Sequence, residues 1–287
     1  MTTGSQDELF RRYLGILGWV GDPGLHELVS SHLIKVPFEN VSKLISSTLP
    51  GGASAQPGVA APGAAGVLPD IETFLEGIGE QDLGGTCFAI ALHFTRLLSF
   101  LDYEVELLGA DVGGTPRSHA VCRVRFEDAH YLVDVGYAAP FYEPISLVDL
   151  PARVPHGDVN YVIDRHVSGA GALEVTTFRG SSKVQSYVAK PPALESEGFA
   201  QAIERASGDS ARFMRSLRIS RFFASRVLEV VDNTLVTTHH NITTVTPIRD
   251  LNELDAVVHE QMQLPRMPVR EAVEILKSRG VDVFARS

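Results

Sequence analysis

The sequence predicts an α+β fold rather than an alternating βαβ one, on three observations. Helical patterns fill roughly the first hundred residues, short closely spaced β-type runs follow from about 104 to 190, and a smaller mixed region ends the chain.

The helical region opens with "DELFRRYLGILGW", where Leu9, Tyr13, Ile16 and Leu17 recur near helical spacing. "PGLHELVSSHLIKV" starts at Pro23, a good early-helix residue, and repeats Leu25, Leu28, Val29, His32 and Leu33. Pro37 ends that helix, because it restricts Val36 away from the helical region. Residues 50–67 form an Ala/Gly/Pro segment with no aromatic and no charge, expected to be a mobile loop. "PDIETFLEGIG" resumes a helix with Asp70 as N-cap. A further apolar helix, "CFAIALHFTRLL", begins at Cys87 directly after Gly84, Gly85 and Thr86.

The β-type runs are "YEVELLGADV", "SHAVCRVRF", "HYLVDVGY", "NYVIDRHV", "ALEVTTFRG" and "VQSYVAK". Gly, Pro, Asp and Asn separate them, which suggests an antiparallel sheet or small barrel. "SEGFAQAIERASG" reads as a helix. "RVLEVVDNTLVTTHHNITTVTPI" reads as two or three strands turning at Asp232-Asn233 and near Asn241. "LNELDAVVHEQM" and "PVREAVEILKSRG" are amphipathic helices. The expected regions are 1–103, 104–195 and 196–287.

Net charge is -10, which argues against broad nucleic-acid or anionic-membrane binding but leaves room for a small anion in a local pocket. Two cysteines cannot scaffold 287 residues with disulfides. There is no Cys/His cluster at zinc spacing, no leader pattern and no apolar run of spanning length, so the expectation is a reduced, soluble, cytoplasmic protein without a metal. His239-His240 reads as loop or strand surface rather than a metal site.

Cys87 has two readings. A free cysteine is among the most buried residue types and can be plain core. At a helix N-terminus, though, a thiolate meets the positive end of the dipole and unpaired N–H groups, which also suit an oxyanion. A base must then come from elsewhere. His119 opens one strand and shares its face with Val121, Arg123 and Arg125. Asp134 sits between Val133 and Val135 in the next strand, where a carboxylate is costly without a partner. A hairpin turning at "EDAH", with Phe126 opposite Tyr131, puts His119 and Asp134 on one face. They then stand about four positions, roughly 13 Å, apart. In that register Arg123 is the direct neighbour of Asp134 and an alternative partner. Cys122 falls on the opposite face with Ala120, Val124 and Phe126, and reads as core.

With these residues assembled, the chain resembles the arylamine N-acetyltransferase family. The ordered matches are His32 with Pro37, Phe38, Glu39 and Asn40, then "GGTCF", "SHAVCRV" and "YLVDVGYAAP". The resemblance implies an N-terminal helical domain, a central antiparallel β-barrel and a C-terminal α/β lid around a cysteine-protease-like core. It implies a Cys87–His119–Asp134 triad that passes an acetyl group from acetyl-CoA to an aromatic amine or hydrazine through an acyl-cysteine. It places Phe38 and Tyr137 along the acceptor pocket, Gly136 where backbone approaches the thioester, and Thr115 near the pantetheine. The partners it implies are small molecules, with no nucleic acid and no membrane, and with a homodimer left open. Leu83, Thr86 and Ala89 depart from the family, which usually has arginine, a bulky aromatic and glutamate there. Loss of both members of a buried ion pair can be nearly neutral. The alternatives are an amide synthase drawing on a carrier-bound thioester, and a binding protein that keeps the fold.

Overall fold

The computed structural model describes residues 3–48 and 68–285. The Ala/Gly/Pro segment at 50–67, expected as a mobile loop, lies outside those residues.

Helices α1 (Thr3–Leu17) and α2 (Leu25–Lys35) pack through Tyr13, Leu14 and Leu17 against Leu25, Leu28 and Val29 in one buried cluster. Val36 is extended, with φ -102° and ψ 113°, as the following proline requires. A two-residue strand β1 (Phe38–Glu39) and helix α3 (Val41–Ser46) follow. Helix α4 (Ile71–Gln81) is capped as expected, the Asp70 carboxylate accepting from Thr73 N at 2.8 Å. Helix α5 (Cys87–Phe100) buries nine of its 14 residues, which is why its sequence is apolar nearly all round.

The middle of the chain is β2 (Glu104–Val112), β3 (Thr115–Phe126), β4 (Ala129–Val133), β5 (Ile145–Ser146), β6 (Ala152–His156), β7 (Val159–Arg165), β8 (Leu173–Arg179) and β9 (Ser182–Lys190). They form one antiparallel sheet in the order β5-β4-β3-β2-β9-β8-β7-β6, a nearly closed barrel. Six of the eight match the expected runs. β5 is only two residues long. β6 carries Pro155 and lies at the sheet edge, the position where a strand tolerates proline.

The C-terminal part holds α6 (Ala200–Ser207), β10 (Arg218–Phe222), β11 (Arg226–Val231), β12 (Thr234–His239), β13 (Ile242–Pro247), α7 (Leu251–Ala256) and α8 (Val269–Ser278). A π-helical turn, Val257–Gln261, extends α7. The second antiparallel sheet runs β1-β10-β11-β12-β13, so two residues from the N-terminal region complete it. Phe38 faces Ser220 on one side and bridges to Gly85 on the other. Strand β1 thereby ties this sheet to the turn before α5.

The β3–β4 hairpin differs from the expected register. Its turn is Glu127-Asp128, with Glu127 at φ 54°, and Phe126 pairs with Ala129 rather than Tyr131. Val124 takes Tyr131. The two-residue turn moves β4 two positions along β3. Asp134, one residue past the end of β4, then falls beside Val121, two positions from His119 instead of four. Arg123 is not the partner of Asp134: it pairs with Glu106 on β2 at 2.5 Å.

Candidate active site

Two glycines shape the turn before α5. A Cβ on Gly84 would stand 1.9 Å from the Pro37 carbonyl oxygen, so β1 and the turn can approach this closely only through glycine. Gly85 has φ 127°, which L side chains rarely adopt. Glu39 N donates to Gly85 O at 3.0 Å, and its buried carboxylate accepts from Gly84 N at 3.0 Å and Ser42 N at 2.8 Å. Burial raises the Glu39 pKa; the backbone donors from Gly84 and Ser42 oppose that rise. Glu39 entered the sequence reading only as part of a signature. Its carboxylate clamps the turn, and only the folded chain reveals this.

The turn delivers Cys87 as the first residue of α5. Thr86 is the N-cap residue, but its side chain makes no capping hydrogen bond, so the first-turn amides keep free N–H groups. Cys87 Sγ lies 3.9 Å from Ser118 O, beside His119. His119 Nε2 bonds Asp134 Oδ2 at 2.9 Å, leaving Nδ1 as the ring nitrogen for the thiol. Both side chains are buried. Asp134 is fully engaged: Oδ2 also accepts from Tyr187 OH at 2.8 Å, and Oδ1 from Gly136 N at 3.2 Å. The aromatic rings of Tyr187 and Tyr137 pack on the imidazole, with centroids 5.0 and 5.4 Å away. Burial alone would lower the His119 pKa. The Asp134 charge and hydrogen bond, then Cys87, outweigh it and raise the pKa to about 10. The raised pKa favours the charged imidazole beside Cys87.

The three side chains sit at a cavity of about 640 Å³ lined by Cys87 and His119, with Asp134 behind the histidine. Phe38, Thr115, Gly136 and Tyr137 all line it, so every residue proposed from the sequence lies at or directly behind this cavity. A Cβ on Gly136 would stand 3.1 Å from Cys87 Cα, so this glycine lies against the Cys87 backbone. Tyr137 OH accepts from Gln185 at 3.0 Å. Leu83, Thr86 and Ala89 line a second cavity, of about 430 Å³, which Cys87 does not line. The three departures from the family pattern thus line a neighbouring space.

Cys122 belongs to the core beside Thr95 Oγ1 at 3.0 Å, and burial pushes its thiol up to about 12. His239 and His240 lie exposed at the β12–β13 turn with their rings 4.2 Å apart. Among the described residues no group of three or more His, Cys, Asp or Glu is placed to hold a metal ion. No helix there is long and apolar enough to cross a membrane.

Sequence reasoning missed Tyr187. It lies 53 residues from Asp134, on β9, and no local signal links the two.

An antiparallel barrel next to a helical layer thus brings a cysteine at a helix N-terminus to a histidine–carboxylate pair. A family model described as N-acetyltransferase matches residues 67–267, and the chain belongs to the arylamine N-acetyltransferase family. Among curated proteins it is 30% identical over 149 residues to proansamycin X synthase of Amycolatopsis mediterranei (strain S699), a match covering 47% of this chain. That match spans 51% of the relative's length. Among solved structures, the Nocardia farcinica arylamine N-acetyltransferase is 22% identical, with a TM-score of 0.76, over 96% of this chain and 95% of that one. The Salmonella typhimurium enzyme is 17% identical, with a TM-score of 0.74, over 97% and 99%. The Mycobacterium marinum enzyme in complex with CoA is 18% identical, with a TM-score of 0.72, over 94% and 97%. At these identities the likeness is one of fold.

Proposed function

We propose that this protein transfers an acetyl or related acyl group from acyl-CoA to an arylamine, arylhydrazine or N-hydroxyarylamine, through a thioester on Cys87. The observation that carries the reading is Cys87 at the start of α5 beside a His119 already bonded to Asp134, all at one cavity.

In the first half-reaction the Cys87 thiolate attacks the donor's thioester carbonyl. The free N–H groups of the first turn of α5 stabilise the negative oxygen that develops. The carbon–sulfur bond of the donor then breaks, and His119 gives its proton to the departing CoA thiolate. In the second, the amine attacks the acyl-cysteine and His119 accepts its proton. Cys87 leaves as thiolate, the amide departs, and the ion pair is restored. Asp134 holds the imidazole in one orientation and favours its charged form throughout.

Intact-protein mass spectrometry after mixing with acetyl-CoA tests this. An acetyl adduct that maps to Cys87 and disappears on adding an aromatic amine is the expected result. A protein that stays unmodified, or a Cys87→Ala variant that still acetylates the amine, defeats it.

A second reading has its own observation: the curated relative is named as a synthase rather than an acetyltransferase. In that reading the same triad forms an amide from a carrier-bound thioester. Acyl transfer from a carrier protein, without transfer from acetyl-CoA, would select it.

A further inference from the structure

The second cavity takes no part in the chemistry described above. It holds about 430 Å³ and shares no lining residue with the cavity of Cys87 and His119. That volume is within the range of small-molecule sites, roughly 300–1,000 Å³. Four helices wall it: Lys43 comes from α3, Phe74 from α4, Phe88 from α5 and Ile203 from α6. Leu83 and Met214 add to the apolar wall.

Its charges are few and separate. Lys43, Glu76 and Glu80 are the Asp, Glu, Lys and Arg side chains that line it. The two glutamates are exposed, one turn apart on α4. Lys43 is half-buried, and its ammonium has no hydrogen bond or ion pair among the described residues. Burial lowers its pKa, and the charge of Cys87 opposes that fall. Most of the hydroxyls beside it are already committed. Ser46, Ser47 and Ser207 donate to the carbonyls of Ser42, Leu44 and Ile203. Thr86 is buried, and its side chain makes no capping bond. Lys43 and Thr86 therefore offer open donors among apolar walls. A desolvated ammonium without an anion is costly, and a carboxylate from solution removes that cost through a charge-assisted hydrogen bond.

We propose that this second cavity is a binding site for an amphipathic monocarboxylate. The apolar body of the ligand lies among Phe74, Phe88, Ile203 and Met214, and its carboxylate meets Lys43 and Thr86. Glu76 and Glu80 repel any further negative charge, which favours a single carboxylate over a phosphate. The site needs no chemistry at Cys87, so it stands or falls apart from the acyl-transfer reading.

The test is calorimetric titration of the whole chain with 2-naphthoate, its neutral amide 2-naphthamide, and 2-naphthyl phosphate. The naphthoate is expected to bind about tenfold more tightly than the amide, the size of one charge-assisted hydrogen bond, and more tightly than the phosphate. Lys43→Gln raises the naphthoate Kd about tenfold and leaves the amide unchanged. Glu76→Gln combined with Glu80→Gln lowers the phosphate Kd several-fold, a gain that damage to the fold would not produce. Arg212→Gln, on the wall of the first cavity, leaves all three unchanged. Equal Kd values for acid and amide in the wild type overturn the proposal, as does a phosphate that binds as tightly as the acid. An acid preference that survives Lys43→Gln overturns it, and so does an equal loss for acid and amide in that variant. A preference lost in Arg212→Gln instead also overturns it, because the acid then sits in the cavity of Cys87. None of these readings needs turnover. Naphthoate binding that depends on Lys43 upholds the site even in a protein that forms no acetyl-Cys87. Acetyl-Cys87 without such binding defeats the site alone.

Discussion

Replacing Asp134 by asparagine removes one charge from a site with no room to compensate. Asp134 accepts three hydrogen bonds, from His119 and Tyr187 on Oδ2 and from Gly136 N on Oδ1. An asparagine has one oxygen and one NH2 group. With the oxygen toward His119, the NH2 faces the Gly136 N–H. With the oxygen toward Gly136, the NH2 faces the imidazole and the phenol. The first sets a donor against a donor in a buried place; the second is satisfied only when the neutral imidazole accepts at Nε2 and carries its proton on Nδ1, the wrong tautomer toward the thiol. The charge that outweighs burial at His119 is also gone, so the imidazole falls from about 10 toward its neutral form. The thiol then loses its cationic partner. Removing the orienting carboxylate of such a triad costs roughly 10⁴ in kcat, about 5 kcal/mol of transition-state stabilisation at 1.36 kcal/mol per decade. Steady-state acetylation of an aromatic amine, with iodoacetamide alkylation of Cys87 at pH 7, reads both effects. A variant within tenfold of wild type in both assays, with a protonated His119, would refute this account of the triad.

Tyr187→Phe removes only the phenol that supports Asp134, and should cost about 2 kcal/mol of stability, since a hydrogen bond to a charged group is worth roughly 1.5–3 kcal/mol. A guanidinium midpoint unchanged from wild type would contradict it. Gly84→Ala drives a methyl group into the Pro37 carbonyl and must displace the turn that carries Cys87. Catalysis is expected to fall by about 10² or more, by the sensitivity of such geometry to ~1 Å shifts; normal turnover would show that the turn is free to relax. His119 should remain protonated through neutral pH and titrate near 10, seen by imidazole NMR. Because its folded pKa lies above the unfolded value of about 6.5, the stability it contributes is complete below about 6.5 and is lost as pH rises through about 10. Unfolding free energies flat from pH 6 to 10 would argue against it.

Much of the site is legible in the chain because its signals are local. Asp70 caps α4, Pro37 ends the preceding helix, and Cys87 follows two glycines at the start of α5, each readable within a few residues. Strand alternation alone puts His119 and Val121 on one face and Cys122 on the other, and Val121 and Cys122 do fall in different cores. Less could be read of β1, β5 and β10. Two of them are only two residues long, and β10 carries three polar residues in five. Their partners lie far away in sequence and supply most of the reason for them to be strands.

The sequence by itself determined the α+β class and the order of most of the elements, and its resemblance to the family named the three residues of the proposed triad. Those depend on periodicity, turn chemistry and short motifs, which act over a handful of residues. The tertiary structure decided the distances. A two-residue turn in place of a four-residue one slid β4 by two positions, brought Asp134 to His119 and left Arg123 to Glu106. It also brought Tyr187 to Asp134 across 53 residues, and Arg218 and Glu229 to the cavity of Cys87. Register and sheet-to-sheet approach are set by the packing of whole elements and by the closure of long loops, and no short window of sequence contains either.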